Sequence, residues 1–215
     1  YILRIKLPLN SNNIELHIHE RSNLNNRDPR HSVRIIGGNW RGRKVSFAKN
    51  EKIRPTPDRV RETLFNWLQL DIKDARCLEL YSGSGILSLE ALSRGAAHVV
   101  LVDSMRLATD HLKTVFTNLQ VSAEHFHLHT CSAQNWLDQA SDKFDIVFID
   151  PPFGGNELDL CLHTLHNKQL LSPDCLVYIE SPSPITTSDL PNNWSIHRQK
   201  KAGVVHYCLC HTSSI

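Results

Sequence analysis

From residue 75 onward the chain alternates between two kinds of apolar spacing. Short runs rich in β-branched and aromatic residues predict buried strands at Cys77–Tyr81, His98–Val102, Phe126–Cys131, Phe144–Ile149 and Cys175–Ile179. Between them, apolar residues recur at helical spacing. They run from Ile86 to Arg94 before Gly95, then through Ala108, Leu112, Val115 and Leu119, from Ala133 to Ala140, and through Leu158, Cys161, Leu162 and Leu165. Strand–helix alternation predicts a parallel sheet covered by helices on both faces. Trp194–Gln199, a turn at Lys200-Lys201-Ala202-Gly203, and Val204–Cys210 predict a closing hairpin that adds an antiparallel strand. Upstream, Val33–Ile36 and Trp40–Phe47 flank Gly37-Gly38 in the pattern of a β-hairpin. Thr56-Pro57 supplies a helix cap and first residue, and Val60, Leu64, Trp67 and Leu68 form one apolar stripe behind it.

Residues 1–32 are polar and Asn-rich, with one short alternation at Ile14, Leu16 and Ile18. The expected organisation is an N-terminal extension over 1–32, a hairpin and helix over 33–70, and an α/β domain over 71–215. At 215 residues, 40% hydrophobic and 21% charged, the chain fits a soluble globular protein. No apolar run approaches the ~20 residues of a membrane span, and no secretory leader is visible at the start. The chain opens on Tyr1 rather than Met, which leaves room for residues upstream. Cys77, Cys131, Cys161, Cys175, Cys208 and Cys210 form no C-x-x-C pair and read as reduced thiols, so a cytoplasmic location is expected. His125, His127 and His129 share one strand face without a cysteine or carboxylate at ligand spacing, so no metal is expected.

Net charge is only +2, but it is unevenly placed. Arg34, Arg41, Arg43, Lys44, Lys49, Lys52, Arg54, Arg59 and Arg61 meet only Glu51 and Asp58 within residues 34–61. Such a patch, carrying Trp40 and glycines, suits a phosphate backbone, and Arg34, Trp40, Arg41, Arg43, Lys44, Arg54 and Arg59 are the expected RNA-contacting residues. Arg59 and Arg61 near a helix start oppose the helix dipole, which points to another task for both.

Two motifs carry candidate chemistry. Glu79-Leu80-Tyr81-Ser82-Gly83-Ser84-Gly85 is a glycine turn between strand and helix, and Asp103 ends the next strand 20 residues beyond Gly83. That set matches a nucleoside site in which an acid accepts bonds from ribose hydroxyls. Ser88 stands where a dinucleotide fingerprint has its third glycine, which disfavours a pyrophosphate and with it a nicotinamide dehydrogenase. The second motif, Asp150-Pro151-Pro152-Phe153, follows the apolar strand Phe144–Ile149. Two prolines stiffen the backbone, so a carboxylate, a free carbonyl and a ring stand in fixed relation. This suits a flat base held through its exocyclic amino group. If the two motifs end neighbouring strands, they face one crevice, the arrangement of a nucleobase-amino methyltransferase.

The chain resembles the RsmD family of bacterial 16S rRNA guanine-N2 methyltransferases. The resemblance lies in Arg34–Gly38, Trp40–Lys44, Arg54-Pro55-Thr56, Asp58–Leu68, Gly83-Ser84-Gly85, Leu89–Arg94 and Asp150–Phe153, and covers residues 33–210. It implies a Rossmann-like class I methyltransferase fold with a mostly parallel seven-stranded sheet. The implied cofactor is S-adenosylmethionine. The implied substrate is a guanosine in the P-site hairpin loop of 16S rRNA, within a partly or fully assembled small subunit, methylated by a monomer. Carried over by position, Glu79, Tyr81, Gly83 and Gly85 would lie at the cofactor's methionine end, Asp103 at the ribose, and Ser132 and Ala133 beside the adenine. Asp150, Pro151, Pro152 and Phe153 would hold the guanine. Ser104-Met105 and Ser132 depart from the acids often found there, which weakens expectations for the adenine bonds. The alternatives are a DNA adenine-N6 or cytosine-N4 amino methyltransferase and a non-catalytic RNA-binding ribosome assembly factor.

Overall fold

A computed structural model describes residues 31–50 and 53–213; the alternation at Ile14, Leu16 and Ile18, together with Glu51 and Lys52, lies outside them. Seven strands form one sheet: β3 (Arg76–Leu80), β4 (His98–Asp103), β5 (Phe126–Thr130), β6 (Phe144–Ile149), β7 (Leu171–Ser181), β8 (Trp194–Ala202) and β9 (Val205–Thr212). Their order is β5-β4-β3-β6-β7-β9-β8, parallel from β5 to β7, with β9 antiparallel to both of its neighbours. A separate two-stranded antiparallel sheet joins β1 (Ser32–Arg34) to β2 (Lys44–Ser46). The helices are α1 (Asp58–Trp67), α2 (Ile86–Ser93), α3 (Arg106–Asn118), α4 (Ala133–Gln139) and α5 (Glu157–Asn167).

Strand alternation divides the core into two layers. On one face Cys77, Leu101, Phe148 and Tyr178 pack with Leu64, Phe65, Leu89 and Phe116. On the other, Leu78, Val100, Ile149 and Ile179 pack with Leu137, Leu162 and Leu165. Val60, Leu64 and Phe65 of α1 and Leu68 at its C-cap are all but fully buried, each contributing roughly 2 kcal/mol. Cys208 and Cys210 are buried thiols 3.7 Å apart.

Several local expectations are corrected. The first hairpin does not turn tightly at Gly37-Gly38. Its pairing ends at Ile35, which donates to the Arg43 carbonyl and accepts from the Gly42 amide, and a 3₁₀ turn at Gly38–Trp40 occupies the loop. Thr56 does not cap α1; Pro57 takes the cap position, and the Thr56 hydroxyl donates instead to Glu180 Oε1 at 3.2 Å. Strand β8 runs through Lys200 and Lys201, so the last turn falls at Gly203-Val204. His98 stacks edge-on against His127 at 4.9 Å.

Arg61 is the largest correction. It is fully buried and offers no surface for a phosphate. Its Nη1 donates to Glu90 Oε1 at 2.5 Å, its Nη2 to Asp58 and to the Arg34 carbonyl, and its Nε to the Thr56 carbonyl. Glu90, also buried, accepts from the Ile36 and Gly37 amides and from Arg94. One carboxylate on α2 thus gathers the basic loop, α1 and its own helix. Breaking such a buried pair costs about 3–5 kcal/mol.

Candidate active site

The winding reverses between β3 and β6: the chain leaves β3 toward β4, whereas β6 begins the walk toward β7. Leu80 is in register with Ile149, so Tyr81 and Asp150 leave the sheet side by side. In an open α/β sheet this is where ligands bind. The glycine turn and the Asp-Pro-Pro-Phe segment therefore lie side by side at the C-terminal edge of the sheet.

The turn is built from left-handed residues, with φ of 58° at Tyr81, 48° at Gly83 and 65° at Gly85. Its two glycines do different work. A Cβ on Gly85 would lie 2.4 Å from Leu112 Cδ2, so this glycine lets α2 and α3 close on the sheet. A Cβ on Gly83 would meet Ile53 Cγ2 and the Tyr81 carbonyl oxygen only at 3.8 Å, ordinary contact distance, so close packing does not demand this glycine as it does Gly85. Ser82 Oγ, in the same turn, is buried without a hydrogen-bond partner among the described residues. Asp103 Oδ2 accepts from the Gly83 amide and Oδ1 from the Met105 amide, both at 2.7 Å. A carboxylate has about four acceptor positions, so each oxygen keeps one for a ribose hydroxyl. Glu79 Oε2 accepts from the Ser88 amide at 2.9 Å, and burial pushes its carboxyl up to about 7. The Tyr81 hydroxyl lies 3.4 Å from Cys161 Sγ on α5. The Cys131 amide donates to the Asp103 carbonyl, which sets Ser132 and Ala133 next along the crest. Ser132 Oγ accepts from the Asn135 amide at 3.2 Å, capping α4. A glycine free of close packing, an orphaned hydroxyl and an acid with spare acceptor positions fit a nucleoside-bearing cofactor.

At the end of β6, Pro151 is buried while Pro152 and Phe153 are exposed, the Phe153 ring by 50%. An aromatic ring that the core does not use is free to stack on a base. Burial, then Glu180 and Glu79, push the Asp150 carboxyl up to about 8. Of the basic residues, Arg34, Arg41, Arg43, Lys44, Arg54 and Arg59 are exposed; Arg34 lies 3.6 Å from Asp58. Trp40 differs from them: its ring packs partly against the core and its amide donates to Ser93 Oγ.

A family model described as "Conserved hypothetical protein 95" matches residues 33–211. "Ribosomal RNA small subunit methyltransferase D" of Escherichia coli K12 is 42% identical over 185 residues, covering 84% of this chain and 92% of that protein. The Haemophilus influenzae protein of the same name is 39% identical, covering 82% and 92%. A solved structure of yhhF from Escherichia coli is 41% identical with a TM-score of 0.78, covering 86% of this chain and 99% of that one. The chain belongs to the RsmD family. Its sheet, with the C-terminal antiparallel hairpin, is the Rossmann-like class I methyltransferase fold.

Membership in the RsmD family does not account for every residue at the crest. Sequence reasoning missed Glu180 and Tyr178, and read Thr56 as a helix cap rather than as a partner of Glu180. Glu180 follows the predicted strand Cys175–Ile179 as Asp103 and Asp150 end theirs, so the acid-at-strand-end signal was there to be read a third time. It also missed Lys200 and Lys201, which line a cavity of about 250 Å³ with Arg59, Thr63 and Tyr207. They sit on the last β-hairpin, far along the chain from the other basic residues.

Proposed function

We propose that this protein is a 16S rRNA (guanine-N2)-methyltransferase that uses S-adenosylmethionine and acts on a guanosine in the P-site hairpin loop. The reading rests above all on the register of Leu80 with Ile149, which brings the glycine turn and Asp150 to neighbouring strand ends where one ligand could reach both. The names of the Escherichia coli and Haemophilus influenzae relatives support rRNA of the small subunit as substrate.

Bound S-adenosylmethionine supplies a methyl group on an electrophilic sulfonium, so much of the chemistry belongs to the cofactor. Asp103, Ser132 and Ala133 would hold its nucleoside and Gly83 its methionine end, with Glu79, Tyr81 and Gly85 supporting the turn beneath. The protein's task is to fix guanine N2. Asp150 and the Pro151 carbonyl would accept its two N–H bonds, which draws the nitrogen lone pair out of the ring. Methylation replaces one N–H bond with N–CH3, and the released proton passes to the Asp150 carboxylate. Burial and two neighbouring acids suit Asp150 to that role, since its pKa of about 8 lies near the working pH. Phe153 would stack on the base, worth about 1–3 kcal/mol, the order of the few kcal/mol spent in flipping it out. Phosphate contacts from the exposed arginines and lysines would then supply the net affinity. The protein would act as a monomer in the cytoplasm on a partly or fully assembled subunit.

Asp150→Ala tests the reading. Calorimetric titration with S-adenosylmethionine should show affinity largely retained, while tritium transfer to small subunits disappears. Turnover retained in this variant would remove Asp150 from the chemistry. DNA offered in parallel should accept no label.

A further inference from the structure

Asp150 has a neighbour at the crest, a second buried carboxylate that the transfer step leaves without a task. Ile149 is in register with Ile179, so Asp150 and Glu180 leave adjacent strands side by side. Both fall on the face of Phe148 and Tyr178, beneath α1. Glu180 is 5% exposed, and its Oε1 accepts from the Tyr178 hydroxyl at 2.9 Å and from Thr56 Oγ1 at 3.2 Å. Tyr178 cannot swing: it is fully buried, with the rings of Phe148 and Tyr207 at 6.4 and 6.2 Å. The carboxylate is therefore held in one orientation. Glu90 shows what a buried acid serving the fold looks like here, with Arg61 and Arg94 against it. Among the described residues no Lys or Arg pairs with Glu180 in this way; hydroxyls and a second acid surround it. Two crowded carboxylates call for hydrogen-bond donors between them.

We propose that Glu180 selects the base, accepting N1–H of guanine while Asp150 and the Pro151 carbonyl hold N2. The inference rests on the guanine-N2 reading above. Guanine alone among the four bases presents adjacent N1–H and N2–H donors. Adenine N1 and cytosine N3 would instead aim a lone pair at a fixed carboxylate. A site built to accept a hydrogen bond discriminates strongly against an analogue that cannot donate it, because its own polar group is left unpaired. Thr56, which fixes Glu180, also follows directly on Arg54-Pro55, so the same segment joins the basic surface to the base site.

The test compares small subunits reconstituted with guanine or 2,6-diaminopurine at the target position. Diaminopurine keeps the 2-amino group but carries a lone pair at N1. Wild-type protein should methylate guanine with kcat/KM at least ten-fold above diaminopurine. In Glu180→Gln an amide N–H can face that lone pair, so the preference should fall at least ten-fold or invert. Glu180→Asp should keep the preference at reduced rate, and Thr56→Val should weaken it by a smaller factor. S-adenosylmethionine affinity should be unchanged in all three. Equal rates on both bases in wild type, or an E180Q protein that slows on both alike and keeps its preference, would overturn the assignment. So would loss of cofactor binding in E180Q, since the carboxylate would then serve the fold. If wild type methylates no guanine at all, the function reading itself has failed and this inference goes with it.

Discussion

Replacing Asp150 by Asn removes a charge without changing shape, and the crest predicts opposite effects on stability and on transfer. In the folded chain burial, Glu180 and Glu79 raise the carboxyl from 3.8 to about 8. The stability held by the protonated form is fully present below about pH 4 and is lost as pH rises to 8, because the unfolded chain ionises first. Asn cannot ionise, so the variant escapes that loss. The full rise from 3.8 to about 8 corresponds to ~5–6 kcal/mol. Asp150 is only half-buried, however, so water screens part of that cost. A proton taken up by Glu180 or Glu79 relieves the same crowding. A gain of about 1–3 kcal/mol is the appropriate scale, or ~2–10 °C in Tm for a chain of this size. Thermal unfolding of both proteins from pH 4.5 to 9 provides the assay, with tritium transfer measured on the same preparations. The Asn protein should match wild type at the acid end and melt progressively higher toward pH 8.5, while transfer falls at least a hundred-fold. An Asn protein less stable than wild type at pH 8.5, or a difference that does not grow with pH, would refute the argument that burial strains this carboxylate. Such a trade of stability for function is common at active sites.

Glu90→Ala removes the only fully buried acid paired with Arg61 among the described residues and leaves it the half-exposed Asp58; a loss of about 3–5 kcal/mol is expected by denaturant unfolding. Wild-type stability would show that Arg61 finds another acceptor. Gly85→Ala should cost ~2–4 kcal/mol, combining contact with Leu112 and a left-handed φ. Gly83→Ala, with no neighbour nearer than 3.8 Å but a left-handed φ, should cost ~1–2 kcal/mol but weaken S-adenosylmethionine binding at least ten-fold in calorimetric titration. Equal effects of the two on cofactor affinity would erase the distinction between them. Arg41→Ala with Arg43→Ala should weaken RNA binding and lower the slope of log K against log salt by up to about 2. An unchanged slope would place the RNA elsewhere.

The strands and helices of the α/β domain were legible because they are apolar runs with one clear period, several of them ended by glycine or an acid. Asp103 and Asp150 were legible for the same reason: a charge directly after a buried run marks the sheet's crest. The RNA-facing segment was read from charge alone, and there the sequence could not separate Arg61 from Arg59. Both sit early in α1, two positions apart, yet one faces solvent and the other is buried against Glu90. That carboxylate lies 29 residues further along, inside a helix that reads as wholly apolar packing. Thr56 was likewise misplaced as a helix cap, because its partner Glu180 is 124 residues away. Local signals set local structure; partners distant in the chain redirected these side chains.

The most direct test of the central claim is the identity of the methylated nucleoside. Small ribosomal subunits from cells lacking this protein, incubated with the purified chain and labelled S-adenosylmethionine, would be digested and their rRNA nucleosides separated by mass spectrometry. N2-methylguanosine, from a P-site hairpin loop fragment and absent when Asp150 is Ala, is the predicted product. A label found on adenosine or cytidine, or no label from wild-type protein that binds the cofactor, would contradict the account.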